Sequence, residues 1–138
     1  DFLAANGWLK HKEIEQRSKD IFGKLRIKAP GIETAVGTLS GGNQQKVVLA
    51  KWLVRNVRLL ILDEPTRGID VGAKQEIYNL ITELSKQGIA ILMISSDMPE
   101  VLSMSHRIAV VARGKIAGVL SHEEATQDKV MKMIVEAN

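Results

Sequence analysis

The sequence predicts an α/β protein, and three observations carry that prediction. Two short apolar runs, Arg58-Leu59-Leu60-Ile61-Leu62-Asp63 and Ile89-Ala90-Ile91-Leu92-Met93-Ile94, have the length and continuity of strands buried on both faces of a parallel sheet. Between them Ile77, Leu80, Ile81 and Leu84 recur at helical intervals until Gly88 ends the pattern, so the whole stretch reads as a β-α-β unit. The composition agrees: 138 residues, 45% hydrophobic and 25% charged, form one domain able to bury roughly two-thirds of its unfolded surface.

The elements follow in order. Ile14, Ile21, Phe22 and Leu25, set among Lys, Glu and Arg, predict an amphipathic helix over 11–25 with one buried stripe. Pro30, Gly31 and Gly37 mark 26–38 as a connector. Ser40 then stands at the N-cap position of a helix running to about Arg55. Pro65 and Gly68 break the first apolar run. After the second run, Asp97-Met98-Pro99 opens a short helix, because Pro is tolerated in a first turn. Arg107 to Ala112 and Lys115 to Leu120 flank Arg113-Gly114 as a hairpin that adds two strands to the sheet. Ser121 with Glu124 has the spacing of a capping box, and Val130, Met133 and Ile134 give the last helix an inward stripe. The expected division is 1–56, a helical portion, and 57–138, a mainly parallel sheet layered by helices.

Several function classes drop out. With no Cys, there is neither a disulfide framework nor a zinc-thiolate site. The apolar runs fall far short of the ~18 residues of a membrane span. The opening Asp1-Phe2-Leu3-Ala4-Ala5 has neither an initiator Met nor the pattern of a signal peptide, and reads as cut from something longer. The net charge of +3 comes from residues 1–30, with seven Lys/Arg against four Asp/Glu, but these charges are dispersed and aromatic residues are scarce, which argues against nucleic acid as a partner. His11, His106 and His122 form no metal-ligand spacing and read as surface residues.

Two places carry chemistry. Asp63 and Glu64 end a strand, and open α/β sheets bind ligands at the carboxyl edge of their strands. There a first carboxylate suits Mg2+ with its water shell and a second suits the polarisation of an attacking water, although an Asp-Glu pair on its own reads as two solvated acids at a turn. Leu39-Ser40-Gly41-Gly42-Asn43-Gln44-Gln45 places a hydroxyl and two glycines at the start of a helix, where free backbone N–H groups cradle a phosphate; Ser-Gly-Gly on its own is also a common loop.

Together, Leu39 to Lys46, then Asp63-Glu64-Pro65-Thr66 and Gly68-Ile69-Asp70, closely resemble the ATPase domain of ABC transporters. The string Asp63 to Lys74, with Ser95-Ser96-Asp97-Met98-Pro99-Glu100, is similar in particular to the second ATPase domain of the double-domain proteins that power ribose, galactose or xylose import. The resemblance implies a P-loop NTPase-like fold, incomplete here. It also implies a signature motif at Leu39 to Gln45, with Leu39, Ser40, Gly41, Gly42, Gln44 and Asp70 as nucleotide-binding residues. Asp63 becomes the Mg2+ residue at the end of the Walker B strand, Glu64 the catalytic base, and Ser96 stands where the family usually has a His contacting the γ-phosphate. Ser96 as a plain helix cap remains the other reading of that position.

The sequence contains no Gly-x-x-x-x-Gly-Lys-Ser/Thr: Gly37 and Gly42 have the spacing, but Asn43-Gln44 follows them. In the family the P-loop and Q-loop precede the helical subdomain, so the expectation is the carboxyl half of one ATPase domain, inactive alone. The resemblance implies head-to-tail pairing with a partner ATPase domain, a membrane permease, an indirect link to a periplasmic or extracellular sugar-binding protein, ATP and Mg2+ as cofactors, and a peripheral place on the cytoplasmic face of the membrane. Two other functions fit the same motifs: a soluble ABC ATPase of translation or repair, and a non-catalytic dimerisation partner.

Overall fold

The computed structural model describes residues 8–55 and 57–137, so the reading of the opening Asp1 to Ala5 lies outside the described residues. Five helices and four strands occur among them: α1 (His11–Lys24), α2 (Gly41–Leu53), β1 (Leu59–Asp63), α3 (Val71–Lys86), β2 (Ala90–Ile94), α4 (Met98–Met104), β3 (Arg107–Ala112), β4 (Lys115–Ser121) and α5 (Gln127–Glu136). The chain divides into two compact units. The first holds residues up to Leu60 together with Pro65–Leu92, and the second holds Ile61–Glu64 together with residues from Met93 onward.

In the first unit, α1 forms where the periodicity places it, but its stripe is only half-buried: Ile14, Ile21 and Phe22 keep partial exposure and Leu25, at the C-cap, is the residue sealed from water. Helix α3 holds the tightest core, with Ile77, Leu80, Ile81 and Leu84 all buried. Asp70 caps it by accepting from the Ala73 N–H at 2.9 Å, and Gly88, at φ +87°, follows its C-cap in a left-handed conformation that glycine adopts freely. Helix α2 packs its buried residues Gly42, Lys46, Leu49 and Ala50, spaced at i, i+4, i+7 and i+8, on one face.

The strands depart from expectation in two ways. β1 and β2 pair in parallel, since Ala90 N–H donates to Arg58 O at one end and Glu64 N–H to Ile94 O at the other. They are not buried on both faces: Leu60 and Leu62 are buried, while Leu59, Ile61, Leu92 and Ile94 are each about half exposed or more. Successive side chains point to opposite faces, and in β1 only the face that carries Leu60 and Leu62 is covered. The hairpin β3–β4 forms as expected but does not join that sheet; it is a separate antiparallel pair. Arg113 and Gly114, at φ +50° and +74°, make the two-residue turn that the strand twist favours.

In the second unit, Ile108, Val110 and Leu120 of the hairpin and Val130 of α5 form a core, with Met98, Val101, Leu102, Ala125 and Met133 packed on it. Ile134 is exposed, so the inward stripe of α5 is Val130 and Met133. The Ser121–Glu124 pair does bond, Oγ and N–H to Oε2 at 3.1 and 3.2 Å, but it closes a turn, and Thr126 is the cap of α5. His11, His106 and His122 are all exposed.

Candidate nucleotide site

The candidate residues fall into two groups, one in each unit. The first gathers at the start of α2. Ser40 takes the N-cap position with extended backbone, but its hydroxyl makes no capping bond to the first-turn amides. Asn43 Nδ2 instead donates to Ser40 Oγ at 2.9 Å, and Asn43 Oδ1 accepts from the Lys28 backbone N–H at 2.8 Å. Gln44 Nε2 donates to Leu39 O at 2.8 Å, which ties the strand-like entry of the loop to the helix it opens. Gly42 is buried, and a Cβ there would sit 2.7 Å from Ala73 Cβ and 3.9 Å from Ile69 Cγ2; a Cβ on Gly41 would meet only Gly68 O, at 3.9 Å. The glycines therefore differ: Gly42 permits close approach of α2 to α3, while Gly41 faces space. Asp70 is brought to the same region, with one carboxylate oxygen committed to capping α3.

Lys46, four residues after Gly42, supports this loop, and sequence reasoning missed it. Its ammonium is almost wholly buried and donates to Glu76 Oε2 at 2.8 Å and to Arg26 O at 3.2 Å. Lys28 Nζ reaches Glu76 Oε1 at 3.0 Å. The Lys46 and Lys28 hydrogen bonds, reinforced by their charges, pull the Glu76 carboxyl down to about 2. The available signal was a Lys at i+4 from a signature glycine, on the stripe completed by Leu49 and Ala50; its partner lies thirty positions away and has no local signature.

The second group lies at the carboxyl end of β1. Asp63 is exposed and Glu64 half-buried. Glu64 has φ +47°, a left-handed conformation that costs a non-glycine residue about 1 kcal/mol. Its N–H is held by Ile94 O at 2.8 Å and its side-chain Oε1 accepts the Ser96 backbone N–H at 2.9 Å. The structure thus joins Glu64 and Ser96, but through the Ser96 main chain. Ser96 does not cap α4 either: Asp97 does, accepting from the Glu100 N–H at 3.3 Å, while Ser95 Oγ accepts from the Asp97 N–H and donates to the buried Glu100 carboxylate at 2.5 Å. Ser95 and Glu100 brace the turn after β2. Among the described residues no cluster of three metal-ligating side chains exists. Asp63, a single exposed carboxylate, is the kind of donor Mg2+ takes when waters and phosphate oxygens complete its shell.

The partial α/β fold that carries these two groups is similar to ABC ATPase domains, and the family profile described as "ABC transporter" matches residues 3–67 of the chain. Among its relatives are the xylose import ATP-binding protein of Moorella thermoacetica, 60% identical over 122 residues, and a ribose import ATP-binding protein of Streptomyces coelicolor, 60% identical over 118. These matches cover 88% and 86% of the chain but 24% and 23% of the relatives, so the chain spans about a quarter of their length. A solved ATP-binding cassette of an ABC transporter superposes with TM-score 0.78 at 26% identity, over 91% of this chain and 52% of that one. A metal-chelate-type ABC transporter shares the fold, with TM-score 0.83 at 15% identity, over 97% of this chain and 53% of that one. No helix among the described residues is long and apolar enough to cross a membrane.

Proposed function

We propose that the chain is the carboxyl half of the second ATPase domain of a monosaccharide importer, in which ATP hydrolysis at the cytoplasmic face of the membrane drives a permease fed by a sugar-binding protein. The observation that supports this reading most directly is that the two groups belong to different compact units and each is braced by its own hydrogen bonds. Leu39, Ser40, Gly41, Gly42, Gln44 and Asp70 then serve an ATP whose P-loop belongs to a partner domain paired head to tail. Asp63 and Glu64 serve the domain's own P-loop. Asp63 would hold Mg2+, which supplies charge neutralisation for the phosphates. Glu64, aimed by the Ser96 N–H, accepts a proton from the attacking water. With no P-loop in this sequence to supply backbone amides and Lys, the chain alone binds Mg-ATP poorly and does not turn it over. Nothing in the structure favours a translation or repair ATPase or a purely non-catalytic partner over this reading.

Gly41→Asp tests it. A Cβ there meets only Gly68 O, at 3.9 Å, and the added carboxylate would stand where phosphate would lie. In the intact ATPase, hydrolysis at the partner's P-loop should fall about 10- to 100-fold, the size of a lost charge-assisted contact, while the Glu64 site keeps its rate. Normal hydrolysis at the partner's site would overturn the in-trans assignment.

A further inference from the structure

Asn43 lies within the motif at Leu39 to Gln45 but has been given no role there, yet its amide is the one side chain hydrogen-bonded to the Ser40 hydroxyl among the described contacts. Its orientation is fixed by chemistry. A backbone N–H can only donate, so the oxygen end of the amide must face Lys28 and the NH2 end must face Ser40. Lys28 is itself anchored, because its ammonium holds Glu76, and the neighbouring Arg26 carbonyl is held by Lys46. The donor that reaches Ser40 therefore stands on a framework of three segments: the turn at 26–28, α2 and α3.

A hydroxyl has one proton to give and two lone pairs to receive. With Asn43 donating into a lone pair, the Ser40 O–H proton is directed away from the amide, and among the described contacts the hydroxyl donates to no other group. We infer that Asn43 is a positioning residue that holds the Ser40 hydroxyl as a donor toward the nucleotide phosphate of the partner's site. This rests on the reading that Ser40 meets that phosphate. An acidic residue at 43 would keep the Lys28 contact and the same shape, but it could only accept. It would take the Ser40 proton for itself and set a negative charge beside the phosphate.

The experiment measures kcat and KM for ATP at the partner's P-loop in the intact ATPase, for Ser40→Ala, Asn43→Asp, Asn43→Ala and the double variant Ser40→Ala/Asn43→Ala. Ser40→Ala should lower kcat/KM roughly 10- to 100-fold, as for a hydrogen bond to a charged group. Asn43→Asp should cost at least as much, with an unchanged melting temperature. Asn43→Ala should cost about threefold, because the hydroxyl is freed among three staggered positions, and should cost nothing once Ser40 is already Ala. If Ser40→Ala has no effect, the phosphate reading itself fails. If Ser40→Ala is impaired while Asn43→Asp is normal, the positioning role alone is overturned. Equal losses from Asn43→Ala with and without the Ser40 hydroxyl would also overturn it, by showing that Asn43 only supports the fold.

Discussion

The start of α2 and the end of β1 hold their candidate residues by two different kinds of support. At α2 the side chains hold one another: Asn43 holds Ser40, Gln44 holds the Leu39 carbonyl, and the buried Lys46 binds Glu76 and Arg26 together. At β1 the main chain does the holding: a left-handed residue, Glu64, is pinned by Ile94 O and by the Ser96 N–H. The difference teaches where substitutions bite. Side chains set the geometry of the first region, whereas in the second main-chain groups hold Glu64 and the Ser95–Glu100 pair braces only the neighbouring turn.

The largest expected effect is at Glu64. Glu64→Gln keeps an acceptor for the Ser96 N–H and removes the base, so hydrolysis at the domain's own site should fall roughly 10²- to 10⁴-fold while ATP binding survives. An unchanged single-turnover rate would remove the chemical half of the comparison. Next comes Gly42→Ala, which forces a Cβ to within 2.7 Å of Ala73 Cβ and should destabilise the protein by about 1–3 kcal/mol, read from urea unfolding. The same change at Gly41, which meets only Gly68 O at 3.9 Å, should cost far less, and equal losses would show that the two glycines do not differ.

Glu76→Gln leaves the buried Lys46 with Arg26 O but no anion. The Glu76 carboxylate is 44% exposed and partly screened, so the loss should be about 1–2 kcal/mol, less than for a fully buried pair. The sign of the pH effect follows from the lowered carboxyl. The folded state resists protonating Glu76 until about 2, against 4.5 for the free group, so this stabilisation is complete above 4.5 and disappears as the pH falls toward 2. Acid unfolding curves of wild type and Glu76→Gln should converge across that window; parallel curves would show that the network adds nothing. The smallest effect belongs to Ser96→Ala. Because the backbone makes the contact to Glu64, hydrolysis should change no more than a few-fold. A loss near 10²-fold would mean the hydroxyl is itself a transition-state donor, and the second region would then resemble the first.

Much of the scaffold was legible because it obeys local rules. The period of Ile77, Leu80, Ile81 and Leu84 gave α3, and Arg113-Gly114 gave the hairpin turn. Burial of the apolar runs was misread because a run of Leu and Ile does not say whether both faces of a strand are covered; in β1 Leu60 and Leu62 are buried while Leu59 and Ile61 stay half exposed. Caps slipped by one position or more, to Asp97 and Thr126, since several Ser, Thr and Asp residues competed for each helix start. The motif strings drew attention to Ser40, Asp63, Glu64 and Ser96. What they could not reveal was the Ser96 main-chain contact, which no residue type encodes, or the Lys46–Glu76 pair, whose members meet only after folding.

The left-handed backbone at Glu64 sets stability against activity at a single position. Glycine would relieve about 1 kcal/mol of local strain there, while giving up the bond to the Ser96 N–H and adding freedom to the unfolded chain. Those terms nearly cancel, so Glu64→Gly should melt close to wild type and yet be as inert as any variant lacking the carboxylate. Screening for thermal robustness alone would pass such a protein as sound. On the proposed reading of Glu64 as the base, a glutamate stands there for turnover although the main chain prefers none.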